Sequence, residues 1–403
     1  MPSSRQPPVS NRSGHRMPRP TPTAAPGWRG RPRRLLGGVL AAAVLAAAVA
    51  FGIQPTSAAG STAELAGDRP APDANPAGVR PARNDAAAAQ GSAQRAGGPG
   101  QAGANPAGAA AAAVFDSLRV QGNRLVDTCG NPFLVRGAET FLGLGIDVNG
   151  SRLRVVQEMV STGVNAVRLI PNVRQLSLSE IEQFLIAAEA AKVVVFLTPN
   201  GGRSWFGRSD VKTMLNRHKK WLIIDAYGEA PYDDRNRWQN DVVNAIREVR
   251  SFGYTVPLVV LSNQYGRDLP ALLQRGAAIE AADPLHNTVL GWQAYWGTNG
   301  WYQGVYGMSL TEGVRRSAQQ SFPIQIGIDH FADPGIPMDY QAAMTAAQQN
   351  RVGWLWWDWY NPFGRTDNLT QDGTAARLTD VGRQVINTHA AGIRATAVKA
   401  CGS

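Results

Sequence analysis

The sequence predicts a single (β/α)8 barrel preceded by a short β-hairpin. Two observations carry this. Eight short apolar runs recur along the last 290 or so residues, as expected of strands buried on both faces. Helical patterns follow most of them, the alternation that builds a parallel α/β sheet. The alternative is a doubly wound open sheet, but no Gly-rich phosphate loop follows the first run.

The chain reaches this domain in three stages. Residues 1–34 hold eight arginines and no acid, and Leu35–Ile53 is an unbroken apolar or Gly/Ala run. Ser57, Ala58 and Ala59 then offer small residues for cleavage. This order is that of a secretory signal, so residues 1–59 read as a signal peptide, with an uncleaved N-terminal anchor as the alternative. Arg33-Arg34 also stands where a twin-arginine pair would, although the residues after it fit that pattern poorly. Residues 60–113 are Ala, Gly and Pro with scattered charges, too poor in large apolar groups to offset their ordering entropy, and read as a linker. The folded domain is expected over 114–403. The protein is expected to be secreted, or tethered to the outer face of the cytoplasmic membrane if the apolar run stays uncleaved, and to be a monomer.

The formal charge of +10 is misleading, because eight of those charges precede the apolar run. A near-neutral body argues against nucleic acid as a partner, since such binding rests on phosphate electrostatics. The two cysteines, Cys129 and Cys401, stand near the two ends of the domain. In an oxidising compartment a disulfide closing the domain is the expected reading, and two free thiols the alternative.

Within the domain, Leu118–Val126 with Gly122-Asn123 as its turn, followed by Phe133–Arg136, reads as the hairpin. The strands are expected at 133–139, 166–171, 193–199, 221–229, 257–264, 288–296, 323–330 and 353–359. Helical patterns are expected from Ser177, whose spacing to Glu180 is that of a capping box, and over 237–250, 269–281, 310–320, 339–350 and 378–388.

Strand ends at the mouth of such a barrel hold its chemistry. Arg168, amid apolar residues in the second strand, must find a partner, and would orient a catalytic carboxylate or serve a structural ion pair. Glu229 ends the fourth strand, and Asp225 lies one layer deeper on the same face, as a buried arginine-paired acid. Gln293 and Tyr295 share one face of the sixth strand. Trp357 and Trp359 point one way from the last strand and Trp356 the other. With Trp205 and Trp296 on other loops, Trp357 would form an aromatic platform suited to the apolar faces of sugar rings. The histidines are dispersed, with no metal-ligand spacing and no G-x-S-x-G elbow, so no metal, no cofactor and no serine hydrolase are expected.

These residues resemble glycoside hydrolase family 5 of clan A, most closely its bacterial β-mannanase-type and cellulase-like members. The resemblance spans about 117–390. Leu118 to Gly137 is similar to the family's opening, Asn165-Ala-Val-Arg168 to its second strand, and Ala281–Asn287 to the approach to its sixth strand. The resemblance implies Glu229 as acid/base and Tyr295 and Trp357 as sugar-contacting residues. It also exposes four departures. Gly228 stands where the family has an asparagine, Gln293 where it has a histidine, and Thr198-Pro199-Asn200 lacks the third-strand histidine. The nucleophilic glutamate aligns with Ile328, with Asp329 one residue late. The resulting expectation is a polysaccharide- or oligosaccharide-binding barrel, directed at β-1,4-linked glycans, with lost or much reduced catalysis. The alternatives are an active hydrolase with Asp329 as displaced second carboxylate, and a secreted scaffold without catalysis.

Overall fold

The computed structural model describes residues 116–143, 152–229, 232, 234–328, 331–333, 336–361 and 368–401. The expected signal or anchor (1–59) and linker (60–113) lie outside the described residues. No helix among the described residues is long and apolar enough to cross a membrane.

A two-stranded antiparallel hairpin comes first, β1 (Arg119–Gln121) and β2 (Arg124–Val126), turned at Gly122-Asn123 as expected. Eight parallel strands then close into a barrel. They are β3 (Arg136–Leu142), β4 (Ala166–Pro171), β5 (Val194–Leu197), β6 (Leu222–Tyr227), β7 (Leu258–Leu261), β8 (Thr288–Gln293), β9 (Ile324–Ile328) and β12 (Gly353–Trp356). A short pair, β10 (Phe331–Asp333) with β11 (Ile336–Pro337), sits between β9 and the last strand. The (β/α)8 expectation therefore holds, and a closed ring excludes the open sheet.

The helices follow their strands: α1 (Arg152–Ser161), α2 (Leu178–Ala190), α3 (Ser209–Arg217), α4 (Arg235–Ser251), α5 (Leu269–Glu280), α6 (Trp301–Tyr306), α7 (Leu310–Ala318) and α8 (Tyr340–Gln349). Ser177 and Glu180 do form a reciprocal capping box at the start of α2. Asp234, Asp268, Ser309 and Asp339 cap four more helices through their side chains. Asp268 also takes both arms of Arg235, tying the start of α5 to α4.

Two rows of side chains leave each strand. The inward row fills the lower barrel with Val135, Ala166, Val194, Phe196, Ile223, Val259, Val289 and Leu355. The hairpin closes the bottom, because Leu118, Leu125 and Phe133 join this same cluster. Each Val, Leu, Ile or Phe side chain among them contributes roughly 1.5–3 kcal/mol on burial. The outward row faces the helices: Trp292 donates to Ser317 of α7, and Trp356 meets Tyr340 of α8 edge-on. Asp283 fixes the start of β8. It accepts both arms of Arg250, the Thr288 hydroxyl and the Asn287 amide.

Cys129 and Cys401 are bonded, with Cα atoms 5.9 Å apart and 272 residues between them in sequence. Asp127 holds both ends of the link, accepting from the amides of Cys129 and Cys401. Replacing both cysteines with serine should lower the unfolding free energy by about 2–4 kcal/mol, as for closing a long loop. Urea melts of oxidised wild type against the double variant check this, and equal midpoints would refute it.

Candidate active site

The upper barrel, above the apolar layers, is polar and charged. Its centre is Arg168 on the inward row of β4. One guanidinium nitrogen donates to Glu139 Oε2 at 2.9 Å and another to Asp225 Oδ2 at 2.6 Å. The third donates to the Thr198 hydroxyl at 2.8 Å, which in turn donates to Asp225 at 3.0 Å. Four strands thus meet on one cation. Strand register brings this about: Glu139 lies directly beside Arg168, one strand over. Asp225 is the arginine-paired acid that its position suggested.

Glu139 went unnoticed in the sequence because the first strand was expected to end there. It runs on to Leu142, so Glu139 is central in a fully buried strand. An acid within Arg136-Gly-Ala-Glu-Thr-Phe-Leu142 was the available signal. Burial pushes its carboxyl up to about 7 against the pull of Arg168, and Glu229 and Asp225 add to the rise. For Arg168, burial works to lower its pKa, but Glu139 and Asp225 outweigh this and hold the guanidinium firmly charged.

Glu229 stands just past the end of β6, half-buried. Burial raises its carboxyl above the ordinary glutamate range, while Arg168 and a hydrogen bond from Gln293 pull the other way. Gln293 Nε2 donates to Glu229 Oε1 at 3.2 Å. Two glycines shape the space for this amide. A Cβ on Gly327 would lie 1.7 Å from Gln293 Oε1, and one on Gly266, at φ +83°, 2.4 Å from its Cγ. The structure therefore brings Arg168, Asp225, Glu229 and Gln293 together, and adds Glu139 and Thr198.

Ile328 is elsewhere. It lies beside Trp356, and Trp356 beside Ala138, in the row that faces the helices. The inward row of β9 is Gln325 and Gly327. The expectation that isoleucine fills the inward place at the end of the seventh barrel strand is corrected: alternation turns its side chain outward. Asp329 lies outside the described residues.

The aromatic platform is also corrected in part. Trp205 is 5% exposed and packs edge-on against Phe206, and Trp296 is 3% exposed within a cluster with Trp292, Tyr302 and Tyr306. Their rings are engaged by the protein and not laid open. Aromatic count in a loop does not reveal how much of each ring the fold consumes. Trp357 is half-buried, with its ring edge-on to Phe141, and is joined to Asp358 by a cis peptide bond. Tyr295 is half-buried just beyond β8.

Three buried polar atoms in this region have no hydrogen-bond partner among the described residues: Gln293 Oε1 and both Oδ1 and Nδ2 of Asn263. Leaving such a group unsatisfied costs about 1–3 kcal/mol. The sequence reading missed Asn263, because β7 was expected to run through it. Among the described residues no group of three or more His, Cys, Asp or Glu is placed to hold a metal ion.

No family model matches the chain. Its relatives in sequence include mannan endo-1,4-beta-mannosidases. That of Salipaludibacillus agaradhaerens is 23% identical over 285 residues, covering 66% of this chain and 90% of the relative. That of Cellvibrio japonicus is 25% identical over 318 residues, covering 72% and 70%. The fold is similar to beta-mannanase from Streptomyces thermolilacinus with mannohexaose, at TM-score 0.62 and 18% identity over 71% of this chain and 98% of that one. It is also similar to the mannohexaose complex of Thermomonospora fusca beta-mannanase, at TM-score 0.59 and 20% identity over 70% and 98%. These are the kinds of protein that the resemblance in sequence named.

Arg168→Met should cost about 3–5 kcal/mol at neutral pH, because it strands two buried carboxylates. Glu139→Gln should act through pH. A carboxyl raised from 4.5 to about 7 on folding makes the folded state the tighter proton binder between those values. Wild-type stability should therefore fall as pH rises through this window, and the variant should lack that component. Urea melts at pH 5 and pH 8 measure it; parallel losses in both proteins would contradict the assignment.

Proposed function

We propose that this chain is an exported barrel that binds a β-1,4-linked, mannan-type glycan at its mouth and keeps the proton-donating half of a glycosidase site. The observation that carries this is Glu229. It is a half-buried carboxyl at the end of β6, held by Gln293 and raised by burial. A raised carboxyl stays protonated nearer neutrality and can donate to a glycosidic oxygen as the bond breaks. The mannanase relatives support the glycan class, since two similar solved proteins are complexes with mannohexaose. Trp357 and Tyr295, both half-buried, are the sugar-contacting side chains in this reading. Cleavage is reduced because Gly228 offers no side chain to the sugar hydroxyl that the family's asparagine contacts.

A second reading, full hydrolysis with Asp329 as the other carboxylate, is favoured by one observation. Ile328 belongs to the helix-facing row, so isoleucine does not displace an inward carboxylate. A retaining pair needs about 5–5.5 Å between carboxyls and an inverting pair about 6.5–9.5 Å.

Reducing-sugar release from mannan, cellulose, xylan and β-1,3-glucan separates the readings. Any cleavage should be confined to the β-1,4 polymers, decline as pH rises through the Glu229 pKa, and drop about 100-fold or more in Glu229→Gln. Oligosaccharide affinity should survive that substitution within a few-fold. Cleavage that persists in Glu229→Gln removes Glu229 as the acid. Cleavage lost in Asp329→Asn supports the second reading, and cleavage unchanged there removes it.

A further inference from the structure

Five residues other than glycine have a left-handed backbone among the described residues. Lys192, His286 and Arg351 stand singly, each two residues before a barrel strand. Gln264 (φ +53°) and Tyr265 (φ +57°) are different. They are consecutive, Gly266 follows at φ +83°, and the run lies at the mouth, past the end of β7. Glycine adopts this conformation freely, but glutamine and tyrosine do so at a cost, so the surrounding structure must hold the turn in place. The start of α5 does not account for it, because Asp268 caps that helix with its own side chain. Strained backbone of this kind gathers where a geometry serves function.

What the turn holds is the neighbourhood of Glu229. β7 pairs with β8 as far as Leu261 and Gly291, and the Ser262 amide donates to Gly291 O at 2.8 Å. There the ladder stops and the chain folds back. Gly266 donates to Ser262 O at 3.1 Å, and its own carbonyl accepts the Gln293 amide at 2.8 Å. A side chain at 266 is excluded, since its Cβ would lie 2.4 Å from Gln293 Cγ. Gln293 in turn donates to Glu229. The other end of the grip is Gln264, whose Nε2 donates at 2.6 Å to the carbonyl of Tyr232, three residues beyond Glu229 in the chain. Arg267 leaves the turn next. Its guanidinium donates to the Tyr302 hydroxyl at 2.9 Å and to Gln264 O at 3.3 Å, and its charge acts on Glu229. One turn therefore fixes the residue that bonds the candidate acid, the loop that carries it and a cation on its side. We propose that the left-handed turn 264–266 is a positioning element for Glu229, and that Gln264 is its positioning residue, tying the turn to the loop that carries the carboxyl. This rests on the reading of Glu229 as the candidate acid.

Gln264→Gly suits the left-handed backbone and removes the tie to Tyr232, whereas Gln264→Met removes the tie alone. Both are made in the full chain and compared with wild type by thermal unfolding and by carbon NMR of protein labelled at glutamate Cδ. Glu229 is identified by the signal that Glu229→Gln loses. Arg168, Arg267 and the Gln293 hydrogen bond favour the ionised form of Glu229, while Asp225 and Glu139 oppose it. A loosened turn weakens the hold on Gln293 and Arg267, so the Glu229 midpoint should move to higher pH in both variants. The unfolding midpoint of Gln264→Gly should stay near that of wild type, because relief of the backbone offsets the lost hydrogen bond. Where wild type cleaves mannan, kcat should fall about tenfold or more with KM changed less than about threefold. A Glu229 signal that titrates in both variants as it does in wild type overturns the assignment. So does a failure of both variants to fold, which makes the turn structural. Wild type that neither binds nor cleaves mannan removes the glycan reading of the mouth, and the titration still decides the role of the turn.

Discussion

One buried cation governs the upper half of this barrel. Arg168 is held between Glu139 and Asp225, with Thr198 closing the ring, so β3, β4, β5 and β6 converge on a single guanidinium. Arginine suits this role because its planar fork donates in fixed directions and it stays charged when buried. Glu229 joins Glu139 and Asp225 within the field of this guanidinium, and Arg267 adds a second positive charge on its side. Burial raises both Glu139 and Glu229 toward holding a proton, against the pull of the arginine. The charge that holds the strand ring together thus also opposes the rise that burial gives the candidate acid.

The lower half answers to a different constraint. A barrel interior must be filled by side chains, and its bottom must be kept from water. The hairpin does this with Leu118, Leu125 and Phe133, and the disulfide between Cys129 and Cys401 fixes the segment that follows it to the chain end. Apolar layers below and polar layers above divide the work: the lower ones supply stability, and the upper ones hold groups that burial alone would not favour. Asn263 and Gln293 show this most plainly, because each buries side-chain atoms that have no hydrogen-bond partner among the described residues.

Much of this was legible in the chain. Short apolar runs gave the strands and 3.6-residue periodicity gave most helices, because both patterns record which face is buried. Ser177 and Glu180 announced a cap by their spacing alone. What escaped were facts set by register between distant segments. Strand ends slipped by a few residues, which hid Glu139 inside β3 and Asn263 beyond β7. α1 and α3 were not anticipated, and neither was the burial of Trp205 and Trp296, which depends on partners such as Phe206 and Tyr302. Ile328 is the sharpest case. An alignment can match it to a carboxylate, but only pairing with Trp356 tells which way it faces.

The four departures from the family's pattern are therefore not equivalent. Thr198 is built into the ring around Arg168, and Gln293 bonds the candidate acid directly, so these positions have been refitted and not vacated. Ile328 lies on the other face of its strand. Gly228 alone removes a side chain and puts nothing in its place. A Cβ there would meet nothing within 4 Å, so no packing demand explains the glycine. Fold similarity to mannanases says little about this point, because function lives in the site and not in the barrel. Preorganised dipoles can replace one another only when they aim at the same developing charge. Gln293 touches Glu229 and Gly228 precedes it in sequence, so both act within one residue of the same carboxyl. The carboxyl of Glu229 and the guanidinium of Arg168 are thus held by groups of this chain's own, Gln293 and Thr198, and not by the side chains that the family's pattern would place there.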